Sequence, residues 1–128
     1  MFSKPKIKAA TMWLPAVEVK KKLKRVVVTG RSHMSDPGEY YNEFANTLSD
    51  LFTEFNYNLF LDFHFDYVNT GSSKWLLFVL QYLEAMLKEK GGQIEITWKY
   101  DSDDESMLTT GELFRSITTI PLVLKEVD

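Results

Sequence analysis

Apolar and polar residues change their spacing several times along the chain, and each change marks an element. In LFLDFHFDYV the side chains alternate: Leu59, Leu61, Phe63, Phe65 and Tyr67 fall on one face, Phe60, Asp62, His64, Asp66 and Val68 on the other. This is the period of a half-buried strand. QIEITWKY repeats it, with Ile94, Ile96, Trp98 and Tyr100 against Gln93, Glu95, Thr97 and Lys99. PAVEVK and RVVVTG, on either side of a lysine-rich turn, read as a hairpin. IPLVLKEV is a last strand, and Pro121 suits a strand start or a sheet edge.

Between these runs the spacing becomes helical. In SDPGEYYNEF, Asp36 suits an N-cap, Pro37 the first helical position and Glu39 the third, a capping-box pattern. Tyr41, Phe44, Leu48, Leu51, Phe52 and Phe55 then recur on one face, and Asn56 and Asn58 end the helix. A second helix is expected from Ser73 to a C-cap at Gly91 and Gly92. A third spans about Asp103 to Ser116, its positive end matched by the acidic run DSDDE.

The order is therefore β-β-α-β-α-β-α-β. Strands covered on both faces read as continuous apolar runs, but these alternate, so only one face is covered. The expected fold is α/β (α+β): a two-layer sandwich, one domain over residues 1–128, with a mixed sheet of about five strands and helices on one face. Parallel strands at 59–68 and 93–100 would bring the NTGSS and DSDDES stretches to one rim, the usual place for sites in such sheets.

Composition narrows the function. The chain is 45% hydrophobic and contains no cysteine, which supports a packed core and removes disulfides, zinc-thiolate sites and thiol nucleophiles. Its longest apolar run, Trp75 to Leu80, is far short of the ~20 residues that cross a bilayer. The start shows no apolar export segment, so a cytoplasmic protein is expected. The net charge of −3 hides an asymmetry: residues 1–31 hold nine of the fifteen Lys and Arg with a single acid, Glu18. KKKLKR, Lys20 to Arg25, lies between two strands and reads as a solvated turn rather than a nucleic-acid or membrane contact. The polar sheet face leaves room for a homodimer contact.

Candidate chemistry is sparse. Asp62, His64 and Asp66 share one strand face, but i and i+2 neighbours stand about 7 Å apart, awkward for one ion. They read as a polar solvent-facing row, with a small metal-dependent enzyme as the rival reading. Neither a G-x-S-x-G elbow nor a phosphate-cradling loop occurs. DSDDE lacks the glycine and distal glutamate of a calcium loop. NTGSS remains. Thr70, Ser72 and Ser73 either only cap a helix, which would leave a constitutive protein-interaction scaffold, or present a hydroxyl where the helix start welcomes a phosphate. A phosphorylated Thr70 would add nearly two negative charges beside Asp101, Asp103, Asp104 and Glu105.

GRSHMSDPGEYYNEF, LDFHFDYVNTGSSK, ITWKYDSDDESMLTTGELF and IPLVL resemble, in order and spacing, the SiaC family of bacterial regulatory phosphoproteins. Y-x-N-T-x-S-S-K and W-x-Y-D-x-D-D-E-x-M are the most specific stretches. Val68 and Gly71 depart from the pattern, standing where an aromatic residue and a serine are familiar. The resemblance implies a non-enzymatic, STAS-like partner-switching protein without a cofactor. It implies phosphorylation of Thr70 by a dedicated protein kinase and dephosphorylation by a PP2C-type phosphatase. The unphosphorylated form is then expected to activate a diguanylate cyclase in cyclic di-GMP and biofilm signalling. Asn69, Gly71, Ser72, Ser73, Asp101, Asp103 and Asp104 are the expected partner-binding surroundings.

Overall fold

The computed structural model describes residues 13–128 in full, Thr11, and the backbone of 7–8. The strands are β1 (Ile7–Lys8), β2 (Ala16–Lys20), β3 (Arg25–Ser32), β4 (Asn58–Val68), β5 (Gln93–Asp101) and β6 (Leu122–Val127). The helices are α1 (Gly38–Glu54), α2 (Thr70–Lys90) and α3 (Glu105–Ile117). All six strands form one sheet in chain order, β1-β2-β3-β4-β5-β6, where about five were expected; the sixth is the two-residue β1 at the edge. β2 and β3 form the antiparallel hairpin, and β3 to β6 run parallel.

Four parallel strands in chain order require three crossovers stepping the same way, and right-handed crossovers then place α1, α2 and α3 on one face. That face holds the core. Val26, Val28, Leu61, Phe63, Phe65, Ile94, Ile96 and Trp98 from the sheet are buried with Phe44 and Leu48 of α1, Val79 and Leu83 of α2, and Phe114 of α3. The alternation read from the sequence is thus the division between a covered face and an open one.

The division fails at the end of β4. The β3–β4 register slips between Gly30 and Arg31: Gly30 pairs with Phe65 but Arg31 pairs with Tyr67, so β4 carries one extra residue, Asp66. Gly30 lies at φ 104°, a conformation that suits glycine. A one-residue bulge reverses which way the following side chains point. Tyr67, expected inward, is 38% exposed, while Val68, expected outward, packs against the core. The Arg31 guanidinium lies over the displaced Tyr67 ring at 5.0 Å.

The helix starts also differ from expectation by small steps. Pro37, not Asp36, precedes α1; it is already helical (φ −78°, ψ −7°), and no side chain caps it. α3 starts at Glu105 behind the Asp104 cap. α2 starts three residues earlier than expected, at Thr70.

Two contacts fix α3 and β6. The indole nitrogen of Trp98 donates to the carbonyl of Met107 at 2.9 Å. A β-carbon at Gly111 would meet that same indole and come within 2.7 Å of Leu124 Cδ2, so only glycine lets α3 sit this close to the sheet. Gly111→Ala is expected to destabilise the protein by about 1–3 kcal/mol, measured by urea unfolding. On the outside of α2, Glu84 Oε2 accepts from Thr119 N at 2.6 Å and from the Thr118 hydroxyl at 2.9 Å, holding the α3–β6 connection. The Thr119 amide, above all, holds the Glu84 carboxyl below its ordinary value of 4.5. A carboxyl depressed in the folded state stabilises above its unfolded pKa and loses that contribution as pH falls. Unfolding measured from pH 6 downward is therefore expected to show a shallower loss of stability below about 4.5 in Glu84→Gln than in the native chain.

Candidate functional site

The site is built around Asn69, between β4 and α2. Its side-chain oxygen accepts from Ser72 N at 2.8 Å and so caps α2. Its side-chain amide donates to the carbonyl of Met34 at 2.9 Å, and its backbone amide donates to the carbonyl of Ser32 at 3.0 Å. The Ser32 hydroxyl, fully buried, lies 2.6 Å from the Tyr41 hydroxyl of α1. Burial pushes the Tyr41 phenol well above its ordinary range, so it stays neutral and tolerates the apolar surroundings. One asparagine thus ties the end of β3, the approach to α1 and the start of α2 into a connected set of bonds.

Thr70 follows that cap and is the first residue of α2, with its side chain exposed. It lies in the helix rather than in a turn before it, because the Asn69 cap lets weak helix formers continue the helix. Ser73 is half-buried and donates its backbone amide to Asn69 O at 2.9 Å. A β-carbon added at Gly71 would stand 3.5 Å from Pro37 Cγ. Ser72 is fully buried: its amide serves the cap, and its hydroxyl is not presented to a phosphate or a partner.

An open groove of about 330 Å³ begins at Thr70 and runs between α2 and α3. Ser73 and Lys74 line it near Thr70, while Leu77, Leu113 and Ile117 supply an apolar floor. Leu113 is 54% and Ile117 47% exposed. These two residues, and Lys74, were not among the candidates. They stand at i and i+4 on α3, a spacing that shows they share a face but not that the face is left uncovered. Asn69 also borders a second open groove, of about 770 Å³, on the α1 side, where Trp13, His33 and Tyr40 stand near Glu39 and Glu43.

The acidic residues are used differently from one another. Asp104 caps α3, accepting from Met107 N at 3.0 Å. Asp101 ends β5 and its carboxylate lies 2.9 Å from His64 Nε2, on the open sheet face. Asp103 is exposed. The parallel β4–β5 pairing puts all three on the same sheet edge as Thr70, and no ion pair or hydrogen bond joins them to it.

Asp62, His64 and Asp66 are not one solvent-facing row. Asp62 is only 6% exposed, its carboxylate 2.6 Å from the Arg25 guanidinium, which also covers the Phe60 ring at 5.2 Å. With His64 turned to Asp101 and Asp66 exposed, the three act separately. Among the described residues no group of three or more His, Asp or Glu is placed to hold a metal.

A family model described as SiaC family regulatory phosphoprotein matches residues 8–127. The chain belongs to this family. No curated protein matches it, but solved structures do. A chain in the crystal structure of diguanylate cyclase SiaD in complex with its activator SiaC, from Pseudomonas aeruginosa, is 21% identical, with TM-score 0.82 over 96% of this chain and 100% of that one. SiaC of Pseudomonas aeruginosa matches at 21% identity and TM-score 0.80, over 94% of this chain and 97% of that one. Its apo crystal structure matches at 19% and 0.75, over 93% and 96%. At these identities the structures establish the fold, which is the SiaC fold. Among the described residues no helix is long and apolar enough to cross a membrane.

Asn69 makes the most direct prediction at the site. Asn69→Ala removes both the α2 cap and the bond to Met34 and is expected to cost about 1–2 kcal/mol. Asn69→Asp keeps a cap acceptor and loses only the amide donor, so its denaturation midpoint is expected between the two.

Proposed function

We propose that this chain is a non-enzymatic, phosphorylation-controlled binding protein of the cytoplasm, acting as one domain over residues 1–128. Thr70 is the acceptor, and the unphosphorylated form binds and activates a diguanylate cyclase. A dedicated kinase and a PP2C-type phosphatase set the balance. The observation that carries the reading is that Thr70 is exposed, is the first residue of a capped helix and lines a groove with an apolar floor. A helix start tolerates a dianion, so phosphate there alters the surface without opposing the fold. Membership of a regulatory phosphoprotein family supports the switch. The complex of the Pseudomonas SiaC with a diguanylate cyclase supports the class of partner.

In this reading Asn69, Gly71 and Ser73 shape the rim that the partner meets, and Asp103 is the free acid of the expected set. The larger groove beside Trp13 and Tyr40 borders the same asparagine and extends the surface available to a partner.

Incubation with the cognate kinase and ATP, followed by phosphopeptide mapping, is expected to place phosphate on Thr70 and to find none on Thr70→Ala. Binding to the cognate cyclase, measured by calorimetry, is expected to survive in Thr70→Ala and to weaken more than tenfold in the phosphorylated protein and in Thr70→Asp. An exposed substitution at this helix position changes stability by about 1 kcal/mol or less, and such a change leaves the chain folded, so a tenfold difference in binding reports the surface. Phosphate appearing elsewhere, with Thr70→Ala modified normally, would remove the reading.

A further inference from the structure

The first turn of α2 contains no carboxylate, whereas α1 has Glu39 in its first turn and α3 has Glu105 behind its Asp104 cap. The first charged side chain of α2 is a cation, Lys74, four residues after Thr70. Residues at i and i+4 of a helix are neighbours on one face, and both of these line the same groove, in which Lys74 is the sole charged lining residue. Lys74, the fifth residue of α2, lies just past the first turn, where the helix dipole acts most strongly on charge. Lys74 is exposed, and no carboxylate among the described residues lies within ion-pair distance of it. Among the described residues, no ion pair occupies its ammonium group.

An anion on residue 70 would. Anion at i with cation at i+4 is the favourable order along a helix, and phosphate oxygens form strong charge-assisted bonds with an ammonium group. We propose that Lys74 is the intramolecular partner of the phosphate on Thr70, an inference that rests on the reading of Thr70 as the acceptor. In the unphosphorylated protein Lys74 lines the groove together with Leu77, Leu113 and Ile117 and is available to a carboxylate on the partner. Phosphorylation takes that ammonium for the chain's own phosphate and sets an ion pair across the mouth of the groove. The two states therefore differ in what Lys74 holds, as well as in net charge.

The test installs phosphothreonine at position 70 during translation, so that no kinase is needed, and titrates it by ³¹P NMR. The second pKa of a phosphothreonine is near 6. Pairing with an exposed ammonium is expected to make it lower by a few tenths of a pH unit in the native background than in Lys74→Gln. Lys74→Arg is expected to keep the lower value. Lys88→Gln, at the far end of α2, removes the same charge and is expected to leave the titration unmoved. A Lys74→Gln titration equal to the native one, or to that of Lys88→Gln, overturns the proposal. A kinase that ignores Thr70 counts against the acceptor reading, whereas an unmoved titration counts against Lys74 alone.

Discussion

The parallel pairing of β3, β4, β5 and β6 in chain order is the constraint from which the rest follows. Each step to the next strand needs a crossover, and three right-handed crossovers in one direction place three helices on one face. The opposite face is left to solvent, and every strand-to-helix connection falls on the same edge. Three helix N-termini therefore share that edge, each with its own arrangement of polar groups. α3 has an aspartate cap and a glutamate, α1 a glutamate without a side-chain cap, and α2 an asparagine cap with no acid. The α2 start is the one left without a negative charge, and it is where the exposed threonine stands.

The sandwich was legible because a sheet with one wet face must alternate, and β4 and β5 do so over most of their length. What misled was local and cooperative. The exchange of Tyr67 and Val68 comes from a bulge whose single trace in the sequence is Gly30, a residue on the neighbouring strand. The early start of α2 comes from packing: Thr, Gly and Ser are weak helix formers on their own. A capping asparagine and a buried Ser72 hold them in the helix. The burial of Asp62 depends on Arg25, thirty-seven residues earlier, reaching across from the adjacent strand. No pattern within β4 could announce that partner.

The site divides in the same way. That Thr70 and the acidic stretch lie on one edge follows from the order of elements, and the β4–β5 pairing puts them there. Their separate uses were not legible. Asp104 is taken by the α3 cap and Asp101 by His64, which leaves Asp103 as the free carboxylate of the three. The groove was hidden for a different reason. Leu113 and Ile117 look like ordinary helical apolar residues, and whether they are covered depends on where α3 lies relative to α2. The trait that gives Leu113 and Ile117 a functional reading is 54% and 47% exposure beside Thr70, and exposure of that kind exists only once the chain is folded.

Magnitudes explain why a rim position suits the proposed switch. A negative charge at a helix start gains about 0.3–1 kcal/mol from the dipole, and an exposed pair with a lysine contributes on a similar scale. Both are small against the 5–15 kcal/mol that holds a domain together, so a phosphate on Thr70 leaves the fold as it is. Binding responds on another scale. A partner covering the floor formed by Leu77, Leu113 and Ile117 must also cover whatever stands at its mouth, and taking a charged group out of water costs several kcal/mol when it is poorly matched. Each 1.4 kcal/mol of that cost is a tenfold loss of affinity. The same dianion is therefore almost neutral to the folded chain and expensive to the complex, because water solvates it in the free protein and the partner has to remove that water.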